Sequence, residues 1–157
     1  MKHTIQALVE NKFGVLSRVA SLFSARGYNI SSLAVSETHD NSISCMTIIV
    51  DTQDERILDQ IKKQLNRLID VISVSDLTKK DFAERELVLV KVSSGVKEKV
   101  KIKQLVKRCA AAVIEAGPDY MIIEISASQD VVEDFLASLK IFGIKELVRT
   151  GRIAMLK

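Results

Sequence analysis

Apolar and polar residues alternate near the start of the chain. Ile5, Ala7 and Val9 stand against Gln6 and Glu10, the period of a half-buried strand over Thr4–Glu10. After the turn Asn11-Lys12-Phe13-Gly14 the period becomes helical. Val15, Leu16, Val19, Leu22 and Phe23 share one broad face, with Ser17, Arg18, Ser21 and Arg26 largely opposite. Gly27 is a natural stop for a helix over Val15–Arg26. Asn29–Thr38 and Ser44–Val50 read as a hairpin turning through His39-Asp40-Asn41. Thr52 and Glu55 have capping-box spacing, and the helix they open turns Ile57, Leu58, Ile61, Leu65 and Leu68 inward. Val71–Leu77 supplies a fourth strand. The order βαββαβ, with right-handed crossovers, predicts an antiparallel four-stranded sheet covered on one side by two helices.

A polar stretch, Thr78 to Arg85, leads into a second half on the same plan without the same sequence. Leu87–Val92 reads as a strand, and the lysine-rich segment from Val100 to about Ala110 as a helix. Periodicity alone allows the alanine run Ala112–Ala116 to extend that helix. The Gly117-Pro118-Asp119 turn instead favours a hairpin with Tyr120–Ala127. Asp130–Phe142 is a helix with Val131, Val132, Phe135, Leu136, Leu139 and Phe142 inward, and Glu146–Arg149 with Arg152–Leu156 form a closing hairpin. The expected class is α+β: two tandem ferredoxin-like βαββαβ sandwiches over 1–78 and 86–157, joined by a linker over 79–85.

Composition narrows the function. The 157 residues include enough aliphatic side chains for a sizeable core, and the +3 net charge is too dispersed for a dedicated polyanion surface. Cys45 and Cys109 lack metal-ligand spacing and read as buried free thiols of a reducing cytosol. Gln6 and Glu10 interrupt any signal core, and no apolar run approaches the roughly 20 residues of a membrane span. A cytoplasmic protein is expected, or an organellar one whose targeting segment is absent.

Catalytic constellations are not visible. His3 and His39 sit at a terminus and in a turn, and no phosphate loop, dinucleotide fingerprint, C-x-x-C pair or H-E-x-x-H helix occurs. Lys97, Lys99, Lys101, Lys103, Lys107 and Arg108 spread around a helix without interleaved aromatics. That is the pattern of a solvated face rather than a nucleic-acid site. The Asn11–Gly14 turn carries two readings. It can be a tight strand-to-helix connection, or a seat where helix N–H groups meet a small carboxylate at a glycine without Cβ.

Residues 10–19, Glu10-Asn11-Lys12-Phe13-Gly14-Val15-Leu16-Ser17-Arg18-Val19, with 22–33, Leu22-Phe23-Ser24-Ala25-Arg26-Gly27-Tyr28-Asn29-Ile30-Ser31-Ser32-Leu33, resemble the ACT domain of the acetohydroxyacid synthase (acetolactate synthase) regulatory small subunit. Gln64–Val71, Glu84–Val92 and Leu147–Arg152 carry the resemblance to the end of the chain. In the family a Phe-Arg pair stands near the end of the second domain's first helix; here Cys109-Ala110 occupy it.

The resemblance implies a non-catalytic chain that dimerises through its ACT domain. It implies activation of a separate large subunit and feedback inhibition by a branched-chain amino acid, usually valine. Thiamine diphosphate, magnesium and FAD are expected in that large subunit, with no cofactor in this chain and no nucleic-acid or membrane partner. It places the effector on Asn11, Lys12, Phe13, Gly14, Val15 and Leu16 of one protomer and Asn29 and Ile30 of the other. Within that site Asn11 and Asn29 orient the zwitterion, and Val15, Leu16 and Ile30 shelter its side chain. The alternative is a stand-alone ACT-type amino-acid sensor without an enzyme partner.

Overall fold

The computed structural model describes residues 2–157. The first unit contains β1 (Lys2–Glu10), α1 (Val15–Ser24), β2 (Ile30–Glu37), β3 (Ile43–Asp51), α2 (Glu55–Leu65) and β4 (Val71–Asp76). Its strands lie in the order β2-β3-β1-β4, every neighbour antiparallel. The alternation in β1 sets the layers. Ile5, Ala7 and Val9 are fully buried and stand opposite Ile48, Met46 and Ser44 of β3. Val15, Val19, Leu22 and Phe23 of α1 and Leu58, Ile61 and Leu65 of α2 close over them. Each such aliphatic side chain contributes about 1.5–3 kcal/mol when withdrawn from water.

Local signals account for the helix ends, with one displacement. Asp54, not Thr52, caps α2: its carboxylate accepts from the Arg56 N–H at 2.8 Å. The Thr52 hydroxyl accepts instead from the Asp54 N–H at 3.2 Å, so it shapes the turn before the cap. The helix begins at Glu55 with its cap at Asp54, which leaves the expected Thr52–Glu55 box two residues too early. At the other end of the first helix, α1 stops at Ser24 rather than Arg26, and the Tyr28 N–H closes on the Phe23 carbonyl.

The second unit contains β5 (Phe82–Ser93), α3 (Val96–Arg108), β6 (Ala112–Ala116), β7 (Tyr120–Ala127), α4 (Gln129–Leu139), a 3₁₀ turn (Lys140–Phe142) and β8 (Ile144–Arg149). Its order β6-β7-β5-β8 repeats that of the first sheet. The alanine run is strand, because α3 ends at Arg108 and Ala110 turns the chain with φ 52°. Val132, Phe135, Leu136 and Leu139 form the inward stripe of α4; Val131, expected inward, lies on its flank and is 42% exposed. Lys99 of the basic segment is structural, its ammonium donating to the carbonyls of Gly117 (2.6 Å) and Pro118 (3.1 Å).

The expected closing hairpin does not form. β8 and β9 (Ile153–Leu156) both pair with β5 instead of with each other. The Thr150 N–H still reaches the Leu87 carbonyl on β5, and Gly151 with φ 81° kinks the strand without reversing it. Lys157 then donates from its backbone to the Asp81 carbonyl, and its ammonium pairs with the Asp81 carboxylate at 2.9 Å.

The compact units consequently comprise residues 1–83 with Arg152–Lys157, and Glu84–Gly151. They differ from the boundaries drawn in the sequence at the last six residues. They differ also at the linker, where β5 already begins at Phe82. Within the first unit Gln6, on the sheet face away from the helices, donates to the Ala154 carbonyl at 2.9 Å. Its neighbours on that face, Thr4, Thr47 and Ile49, are buried.

Candidate functional site

The turn from β1 to α1 is pinned on both sides. The Glu10 N–H donates to the Asp70 carbonyl (2.8 Å) and the Asn11 N–H to the Ser42 carbonyl (2.7 Å). Both N–H groups of the Asn11 amide are engaged as well, on the Asn41 carbonyl at 2.8 Å and the Glu37 carboxylate at 3.1 Å. Asn11 therefore locks the loop to the β2–β3 turn, and its amide oxygen is the group suited to an ammonium. That turn is itself braced by Asp40, whose carboxylate accepts from the Ser42 hydroxyl and N–H and is held below the usual range by those bonds. Lys12 pairs with Glu10 at 2.8 Å, and the hydrogen bond to that carboxylate raises its ammonium above the ordinary lysine value.

Gly14 is the N-cap of α1, at φ 79° and ψ −5°, with no side-chain cap and no acidic residue in the first turn. The left-handed backbone is where a side chain would be strained; the Val15 N–H donates to the Lys12 carbonyl at 3.4 Å, and a glycine N-cap offers no side chain to the N–H groups of Leu16 and Ser17. Arg18, one turn on, supplies a cation. Its Nε donates to Asp70 at 2.7 Å, and a Cβ built on Gly14 would lie 3.0 Å from its Nη1. Helix dipole and guanidinium thus converge on one glycine, an arrangement that attracts a small carboxylate.

Of the apolar residues expected here, Leu16 is partly exposed and Phe13 wholly so. Val15 is buried in the core, so it packs the helix rather than sheltering a ligand. Arg18 and Asp70 were not singled out in the sequence. The available signal was the i, i+4 spacing of Arg18 from Gly14.

Asn29 is exposed and Ile30 half-buried, at the start of β2. The register sets them far from the turn. Ile30 stands opposite Val50, which stands opposite His3, whereas the turn follows Glu10 opposite Ile43. From His3 to Glu10 is seven residues of β1, or about 24 Å at about 3.4 Å per residue. One chain does not bring both halves of the expected site against one small molecule.

Among the described residues, no group of three or more His, Cys, Asp or Glu side chains is placed to hold a metal ion. Among the same described residues, no helix is long and apolar enough to cross a membrane.

A βαββαβ sandwich with a glycine-capped first helix is the architecture of an ACT domain, and residues 5–73 match the family described as "AHAS small subunit-like ACT domain". Residues 85–157 match "Small subunit of acetolactate synthase". The chain belongs to the acetolactate synthase small-subunit family. It is 44% identical over 157 residues to the probable acetolactate synthase small subunit of Archaeoglobus fulgidus, covering 100% of this chain and 98% of that one. It is 42% identical to the small subunit of Aquifex aeolicus over 155 residues, 98% of this chain and 80% of the other. The crystal structure of the small subunit from Thermotoga maritima superimposes with a TM-score of 0.89 at 35% identity, covering 100% and 98% of the two chains.

Proposed function

We propose that this protein is the feedback regulator of a thiamine-diphosphate-dependent acetolactate synthase. It binds the catalytic large subunit in the cytoplasm, raises its activity, and lowers it when valine or another branched-chain amino acid occupies the first domain. Thiamine diphosphate, magnesium and FAD belong to the large subunit, and this chain contributes no catalytic group.

The observation that carries the reading is the split site. β2 is an edge strand of the first sheet, and an unpaired edge accepts another strand. Pairing β2 antiparallel with its copy about a two-fold axis sets Asn29 and Ile30 of one chain beside the far end of β2 in the other. That end is Glu37, which Asn11 already holds. A homodimer therefore completes what one chain leaves about 24 Å apart.

In the completed site the effector carboxylate meets the N–H groups beyond Gly14 and the Arg18 guanidinium. Its ammonium faces the Asn11 amide oxygen and Asn29. Its aliphatic side chain lies between Leu16 and Ile30 of the other protomer. Anion placement at a helix start is worth about 0.3–1 kcal/mol, and up to about 2 when partly buried. Effector and substrate occupy different sites, so inhibition is a coupling free energy and is reciprocal.

The test is co-purification with the large subunit, with acetolactate formation assayed with and without valine. Failure to bind or to change its rate refutes the reading.

A further inference from the structure

The helical side of the first unit carries a groove of about 390 Å³ between α1 and α2. Three of its lining residues are Arg18, Arg26 and Arg67, none is acidic, and Ser17 and Ser21 add hydroxyls above an apolar floor that includes Leu22. Two of the cations are already oriented. Arg26 donates to the Leu22 carbonyl and to Gln64 at 2.9 Å, and Arg18 is held by Asp70. Next in the chain to these elements, Phe13 precedes Gly14 and is 100% exposed, and Ile69 follows the lining residue Leu68 and is 96% exposed. Oriented arginines next to a bare aromatic and a bare aliphatic are the composition of protein-interface anchors, not of ordinary solvated surface.

We propose that this groove docks an acidic segment of a partner protein. Its carboxylates pair with Arg26 and Arg67, and its apolar side chains cover Phe13 and Ile69. The inference rests on the functional reading above, under which that partner is the large subunit. Charge complementarity selects the occupant. Arg26 and Arg67, with no acidic residue lining the groove beside them, reject a basic segment. A second copy of this chain would present the same arginines to themselves across a two-fold axis. Arg18 lies between the docked segment and the Gly14 turn, so a carboxylate drawing it from Asp70 changes the field at the effector loop.

The experiment uses the full chain with the charge-reversed pair Arg26→Glu/Arg67→Glu and the neutral pair Arg26→Gln/Arg67→Gln. Large-subunit activation is titrated at low and high salt, and valine binding to the chain alone is measured by calorimetry. The proposal expects half-maximal activation to need at least about tenfold more of the reversed variant, with a smaller shift for the neutral one. It expects the salt dependence to flatten, with valine affinity unchanged and both variants still folded, their melting lowered only slightly by loss of the Arg26 bonds. Folded variants that activate at wild-type concentrations overturn the docking site but leave the functional reading standing. A wild-type chain that never engages the large subunit removes both. Inorganic pyrophosphate that binds wild type but not the variants, with activation unaltered, assigns the groove to a small anion and overturns the proposal.

Discussion

Replacing Gly14 with Glu, beside Gly14→Ala as its control, isolates the electrostatics of the effector turn. Both substitutions place a side chain on a backbone at φ 79°, which costs about 1–2 kcal/mol for an L-residue. Both bring a Cβ to 3.0 Å from Arg18 Nη1, a contact the flexible guanidinium relieves by a small swing. Against a typical stability of about 5–15 kcal/mol the domain remains folded, with Gly14→Glu melting no earlier than Gly14→Ala because its carboxylate faces the helix N-terminus.

Only Glu adds a carboxylate between the helix N-terminus and Arg18, where the effector carboxylate is expected. It occupies those donors itself and repels the ligand. The loss is the anion stabilisation of a partly buried helix start, up to about 2 kcal/mol, or roughly tenfold to thirtyfold in affinity. Calorimetric titration with valine should show Gly14→Ala weakened a few-fold and Gly14→Glu at least about tenfold further. The Glu variant should still activate the large subunit while ignoring valine. If the two folded variants bind valine equally, no carboxylate sits at this turn, and the placement of the effector is wrong.

Asn11→Ala removes the bonds to Glu37 and Asn41; released, the loop should bind valine about tenfold more weakly with little change in melting. Asn29→Leu, which adds no charge and frees no loop, should show a milder loss in the same titration. Ile61→Ala leaves a void beneath α2, where Ile61 is fully buried, and should lower unfolding free energy by about 2–5 kcal/mol in urea. Arg149→Met strands Glu86, 6% exposed and held bidentately at 2.8 Å by Arg149; chemical denaturation should show a loss of about 3 kcal/mol in the second unit. The isolated chain should form no acetolactate with any cofactor added, and turnover abolished by changing one of its own side chains would contradict the regulatory assignment.

The parts of the fold legible in the sequence were those where one face of an element is buried. Period two in β1 and period 3.6 in α1 each mark the face that packs into the core between sheet and helices, so Ile5, Ala7, Val9, Val19 and Phe23 could be assigned inward without a structure. Val131 misled because an apolar residue on the flank of a helix satisfies a broad stripe as well as one at its centre. Thr52 misled because capping spacing recurs wherever a hydroxyl precedes a carboxylate, and only the backbone decides which residue is the cap. The Asn11–Gly14 turn stood out because glycine closes a strand-to-helix corner. The Arg18–Asp70 pair did not, since its partners are 52 residues apart and meet only when β4 lies beside β1. The pairing of β9 with β5 was hidden for a related reason. A two-residue turn signal at Thr150-Gly151 looks the same whether the chain reverses or merely kinks.

The return of Arg152–Lys157 to the first unit has a consequence for the order of events during synthesis. Domains made on the ribosome generally fold as they emerge, N-terminal first. Here β1 through β4 emerge early, yet the face that carries Gln6 waits for Ala154. The domain made first thus gains this contact only after the domain made second, and a chain cut short before residue 152 leaves the Gln6 amide without its Ala154 partner. Loss of residues 152–157 is therefore felt in the unit holding the effector turn, so the sensing half depends on residues made after the second unit.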